Sequence, residues 1–145
     1  MKEYSADCNA CHVHKCKKGE MDNLPKFCPM NDQSIYEKAS SLLDRHRKFY
    51  ITSSIIEKKG YCEWPRLRET IEFIKEMIFE RIGLAFCSGF RREAKMLSEI
   101  FEAHGIELIS VMCKTGGIDK TAAGVPEEYK LKPGQFEAHC NPIAQ

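Results

Sequence analysis

The sequence predicts an α/β protein in three successive parts: a cysteine-metal N-terminal segment, a helical region, and a partial Rossmann-like β-α-β layer. Three observations carry that expectation. Cys8, Cys11, Cys16 and Cys28 follow one another as C-x2-C-x4-C-x11-C-P. Two short apolar runs, 82–87 and 106–112, flank a stretch of helical periodicity. Beyond Cys113 the chain becomes rich in glycine and proline.

Residues 1–31 read as an irregular segment. Lys17, Lys18 and Gly19 form a polar turn, Pro25 and Pro29 interrupt regular structure, and few apolar side chains are on hand to pack. Residues 32–145 read as a second domain, helical and then α/β. Asp32 is placed to cap a helix carrying Ile35, Ala39, Leu42 and Leu43, and a second helical stretch from Phe49 to Lys59 stops at Gly60. The two together suggest a helical hairpin. A third helix is expected from about Pro65, with Leu67, Ile71, Ile74 and Ile78 on one face.

Ile82 to Cys87, followed by Ser88 and Gly89, has the look of a buried parallel strand and its turn. Ala94, Leu97, Ile100 and Phe101 make a helical stripe closed by Gly105, and Ile106 to Met112 is a second strand. Strand, helix and strand at this spacing make a right-handed β-α-β unit. Residues 114–137 read as a long loop, and loops of that length in compact domains usually carry function. Two parallel strands leave faces and edges to be covered, so self-association into a homo-oligomer is expected.

Composition narrows the partners. Of 145 residues, 43% are apolar and 10% aromatic, enough for a core, while 22 Lys+Arg against 21 Asp+Glu leave a net charge of +1. That balance argues against nucleic acid or an acidic membrane surface as the main partner. The longest apolar run is too short to span a bilayer, so no membrane is expected. Met1 to Asp7 offers no apolar core of a secretory signal, which points to a cytoplasmic, reducing location where structural disulfides are rare.

The cysteines other than Cys62 are therefore read as ligands or reactive thiols. Cys8, Cys11, Cys16 and Cys28 supply the four thiolates of a tetrahedral zinc site, with His12 and His14 as substitutes. An iron–sulfur cluster is the alternative cofactor, since it also takes four thiolates and Cys28 is followed by proline. Cys87 closes the first strand and Cys113 the second. Parallel strands end on one edge, where ligands of open sheets bind, and Cys140 can return to it after the loop. Cys87, Cys113 and Cys140 are thus the candidate cofactor-binding residues at that edge, with Cys87 favoured as thiolate by the helix that follows. Cys62, alone in a turn, reads as a packing residue.

Two enzyme motifs fail on spacing. The stretch from Cys87 to Glu93 lacks the C-x5-R of cysteine-dependent phosphatases, because Arg92 falls one residue early. The stretch from Gly117 to Thr121 lacks the glycine that a P-loop needs before its lysine. No catalytic residue can be named.

The succession C-x2-C-x4-C and C-P-M near the N-terminus, Gly60-Tyr-Cys62, Ile82-Gly-Leu-Ala-Phe-Cys87, Val111-Met-Cys-Lys114 and Pro133-Gly-x-Phe-Glu-Ala-x-Cys140-Asn-Pro-Ile resembles one prokaryotic family over essentially the whole chain. It is a domain-of-unknown-function family of uncharacterised, cysteine-rich proteins described as metal-binding. The resemblance implies that all eight cysteines, Cys62 included, are motif positions. It further implies that members continue with more strands, one ending in Gly-x-Cys-x-Gly-His-Asp; if that cysteine joins Cys87, Cys113 and Cys140, the edge site here is incomplete.

The functional expectation is a cytosolic metal-binding protein with a four-cysteine zinc or iron–sulfur site and a thiol-rich edge. Its redox partner or small ligand is unknown from sequence. One alternative is an iron–sulfur or thiol-dependent redox enzyme using Cys87, Cys113 and Cys140. Another is a structural zinc module for protein contacts.

Overall fold

A computed structural model describes residues 6–145, so the first five positions of the expected 1–31 segment, and most of the stretch read as lacking a signal, lie outside the described residues. The described chain divides into two compact units, with the boundary along the chain between Ile55 and Ile56.

In the first unit short turns dominate until Asp32. A 3-10 turn spans Cys8–Ala10, a single helical turn α1 spans Lys15–Lys18, and a second 3-10 turn spans Pro29–Asn31. Asp32 then caps α2 (Gln33–Arg45), its carboxylate accepting the Ser34 amide at 2.9 Å, as its place in the sequence predicts. α3 (Arg47–Gly60) begins after a single residue, His46, and the unit boundary falls inside it. His46 donates its amide to Leu42 at 2.9 Å and accepts the Tyr50 amide at 3.2 Å. The expected helical hairpin is therefore corrected: one intervening residue cannot reverse the chain, and α2 and α3 make few contacts with each other.

The second unit opens with the end of α3, whose last residue, Gly60, accepts the amides of Glu63 and Trp64 at 2.9 Å each. A Cβ at Gly60 would lie 2.9 Å from the Trp64 ring and 3.0 Å from the Glu69 side chain, so the turn closes only around glycine. α4 (Arg66–Met77) follows, with Pro65 as the residue before its first turn. Ile71 and Ile74 are buried as the periodicity predicts. Ile78 is not: it ends the helix in the left-handed region with φ 61° and is 76% exposed.

Strand β1 (Arg81–Phe86), helix α5 (Arg91–Ala103) and strand β2 (Glu107–Met112) form the expected β-α-β unit. The strands pair in parallel, with Ile82 opposite Leu108 and Phe86 opposite Met112. Among the described residues this is the whole sheet, so α/β holds at this coarse level. Gly105, with φ 74°, supplies the left-handed turn that sends α5 into β2.

The sheet is covered on one face. Ile71 and Ile74 from α4 meet Phe101 and Ile106, and Leu67, Ile82, Leu97, Ile100 and Leu108 pack around them. Because side chains alternate along a strand, Leu84 and Phe86 share that covered side with Ile82. Gly83, Ala85, Ile109 and Val111 point the other way, and Ile109 is 51% exposed. Among the described residues no helix is long and apolar enough to cross a membrane.

Candidate functional site

Parallel pairing puts the carboxyl ends of β1 and β2 side by side, and Cys87 and Cys113 each follow directly. The Cys113 amide donates to the Phe86 carbonyl at 2.9 Å, extending the ladder by one residue, and Cys113 is only 7% exposed. Its sulfur accepts the Ser88 amide at 3.3 Å, from the turn that opens α5. That hydrogen bond is the main reason the Cys113 thiol titrates below its ordinary range. Burial opposes the shift, and side-chain interactions with Cys140, Ser88 and Cys87 add to it. Cys113 is joined to the neighbourhoods of the other two thiols by backbone hydrogen bonds, from Ser88, next to Cys87, to its sulfur and from Asn141, next to Cys140, to its carbonyl.

Cys87 is exposed at the rim, its carbonyl accepting the Phe90 amide at 2.8 Å. Cys140 is also exposed but firmly placed. The Asn141 amide donates to the Cys113 carbonyl at 2.8 Å, and the Lys114 ammonium donates to the Ala138 carbonyl at 2.7 Å and to the Cys140 sulfur at 3.2 Å. The hydrogen bond to Cys140 raises the Lys114 pKa against a smaller opposing effect of burial, with the charges of Cys140, Cys113 and Glu137 adding to the rise. Gln145 closes the floor, its amide nitrogen donating to Phe86 at 2.9 Å and to Val111 at 2.8 Å, one carbonyl from each strand end.

The loop over 114–137 is ordered by charge. Asp119 accepts the Thr121 amide at 2.9 Å, the Thr121 hydroxyl at 2.7 Å and the Glu137 amide at 2.8 Å, and pairs with Lys130. The two backbone amides hold its carboxyl far below the usual carboxylate range. Glu137 pairs with Lys120, which lowers its pKa, and accepts the Leu131 amide at 2.7 Å. Sequence reasoning missed Asp119, Lys130, Glu137 and Lys114 as parts of the site. Lys114 and Glu137 stand inside motifs noted above, but their partners become visible only once the loop is folded.

The N-terminal cysteines are placed differently. Cys8, Cys16 and Cys28 each start a tight turn, their carbonyls accepting the amides of Cys11, Gly19 and Asn31 at 3.2, 3.3 and 3.1 Å. All four thiols are free, and Cys11 and Cys28 are partly covered. Among the described residues, no group of three or more His, Cys, Asp or Glu side chains is arranged to hold a metal ion. The donor chemistry of both cysteine groups suits a thiophilic metal, whereas the closed coordination geometry is not preformed. Cys62 is exposed with φ 59°, so its packing role is withdrawn.

Over 138 residues the chain is 38% identical to the uncharacterized protein MJ0455 of the archaeon Methanocaldococcus jannaschii. That alignment takes in 95% of this chain and 66% of the relative, so the chain spans just under two thirds of the relative's length. No solved structure matches. The model of a family described as protein of unknown function, DUF1847, matches residues 28–145, which include the whole β-α-β unit and the thiol edge. The chain belongs to that uncharacterised family.

Proposed function

We propose that this is a metal-binding protein whose thiolates are its ligands, with the edge formed by Cys87, Cys113 and Cys140 as the principal site. The observation that carries the reading is the surroundings of Cys113: a buried cysteine, an amide donor on its sulfur from the residue after Cys87, and a hydrogen bond to its carbonyl from the residue after Cys140. An apolar core position would need none of these. Three thiolates carry three negative charges, a divalent ion leaves one, and the Lys114 ammonium beside Cys140 offsets it. Three protein ligands also leave one coordination position free, the pattern of zinc sites that act on a ligand. Zinc is the leading metal and an iron–sulfur cluster the alternative; when bound, either would supply Lewis acidity or electron transfer.

The N-terminal group, Cys8, Cys11, Cys16 and Cys28, would hold a second, structural metal. Its turns stand ready around each cysteine, and ligation would draw them together, which couples metal uptake to local folding. The exposure of Cys140 and Cys87 also favours a second reading, a thiol-dependent redox protein, because both sulfurs are open to a reacting partner. A redox partner, a location in the cytoplasm and assembly as a homo-oligomer belong to the proposal as well.

Element analysis of anaerobically purified wild type, Cys11→Ser and Cys113→Ser tests the reading. Each variant should lose one metal centre and keep the other, and Cys11→Ser should become protease-sensitive before Asp32. Colourless protein with zinc supports the first metal, and brown protein with iron and sulfide supports the second. Unchanged metal content in Cys113→Ser would refute the edge site.

A further inference from the structure

We infer that Asp119, Lys130 and Glu137 form a clasp that positions Cys140 against Cys113, so that the third thiol is delivered by a charged lock in the loop. The inference deepens the reading of the thiol edge as a site and rests on it for its purpose, but its geometry stands apart from any metal.

Cys140 reaches the edge only after a loop that has no helix or strand of its own beyond two 3-10 turns, at Lys120–Ala123 and Glu127–Tyr129. A free loop of this length would let the thiol wander. Here the loop is pinned from inside. The Lys130 side chain is 4% exposed, and its ammonium lies 3.3 Å from Asp119 and 3.2 Å from Glu127. Burial pushes the Lys130 pKa down, yet the hydrogen bonds and charges of Glu127 and Asp119 together carry it above its ordinary value. Glu127 in turn accepts the Gly134 amide.

What the clasp holds is the return of the chain. Asp119 bridges Ala138 in antiparallel fashion, the Lys120 amide donates to Glu137 at 2.9 Å, and the His139 amide donates to Ile118 at 2.7 Å. Residues 137–139 are thereby laid beside 118–120. Cys140 is the next residue, and the Asn141 amide then reaches the Cys113 carbonyl. Cys87 depends on none of this, since the end of β1 and the turn before α5 place it. The two outer thiols of the trio are therefore positioned by independent parts of the chain.

That independence supplies the test. The metal-free, reduced 145-residue chain is treated with dibromobimane, a short bis-thiol reagent, and the yields of the Cys113–Cys140 and Cys87–Cys113 cross-links are measured by mass spectrometry. Wild type should give both. Lys130→Met and Asp119→Asn should each lower the Cys113–Cys140 yield by about tenfold, the scale on which losing a charge-assisted hydrogen bond shifts a local closing equilibrium. Both should leave Cys87–Cys113 unchanged, and Lys130→Arg should restore most of the lost yield. Unchanged Cys113–Cys140 yield in both variants would overturn the inference. So would a parallel fall of both cross-links, because the clasp would then support the fold at large. A wild type that binds no metal but shows the predicted cross-link pattern would remove the proposed function and leave the clasp standing.

Discussion

Leu108 and Ile109 are neighbours in β2 that the structure sends to opposite faces, which makes them a matched pair for testing the one-sided core. Leu108 packs on the Ile71, Ile74, Phe101 and Ile106 cluster, whereas Ile109 is 51% exposed. Truncating a buried leucine to alanine costs about 2–5 kcal/mol, and partial burial places Leu108→Ala at the low end, about 2 kcal/mol. Ile109→Ala should behave as a surface change, within about 0.5 kcal/mol. The difference of about 1.5 kcal/mol corresponds to about 6–12 °C in Tm for a cooperative unit of this size. Thermal and urea unfolding followed by far-UV circular dichroism, at two protein concentrations, measures it. Equal losses in the two variants would refute the one-sided core. A concentration-dependent loss at Ile109 would instead show that a second copy covers the open face, as the proposed homo-oligomer requires.

Acid should release the clasp. Asp119 and Glu137 both have folded pKa values below their unfolded ones, so the stability they contribute is complete above the ordinary carboxylate range and is lost as pH falls through their lowered values. The NMR amide resonances of Thr121 and Glu137, which report Asp119, and of Leu131, which reports Glu137, should therefore shift only below the ordinary carboxylate range, and Asp119→Asn should abolish the change seen at Thr121. Gly60→Ala should destabilise the second unit by about 1–3 kcal/mol despite the better helix propensity of alanine, because its Cβ meets the Trp64 ring; denaturant titration reads the loss, and a stabilised variant would contradict the close approach. With limiting iodoacetamide at a pH high enough to ionise every thiol, so that access alone decides, exposed Cys87 should be alkylated well before buried Cys113, and the reverse order would show that the Cys113 sulfur is not covered.

Much of the fold was legible because local signals and tertiary structure agree. Asp32 caps a helix, Ile71 and Ile74 reach the core, and the two apolar runs pair in parallel around α5, since a crossover helix leaves them no other direction. The placement of Cys87 and Cys113 at one edge follows from that pairing. The hairpin failed because apolar spacing defines a helix and not the length of the link between two helices, and only His46 separates α2 from α3. Ile78 failed because periodicity does not mark where a helix ends. The placement of Cys140 was not legible, since its anchors are ion pairs between residues far apart in sequence, such as Asp119 with Lys130 and Lys120 with Glu137. Nothing in the spacing of those charges announces their pairing.

The most direct measurement on the central claim is X-ray absorption at the metal edge of anaerobically purified Cys11→Ser, which leaves the strand edge as the remaining thiolate site. The proposed function predicts a first shell dominated by three sulfurs, at about 2.3 Å if the metal is zinc, with one lighter ligand in the open position. Removing Cys113 in the same background should abolish the signal. A shell of nitrogen and oxygen alone, or sulfur ligation that survives Cys113→Ser, would contradict the assignment of Cys87, Cys113 and Cys140 as a metal site.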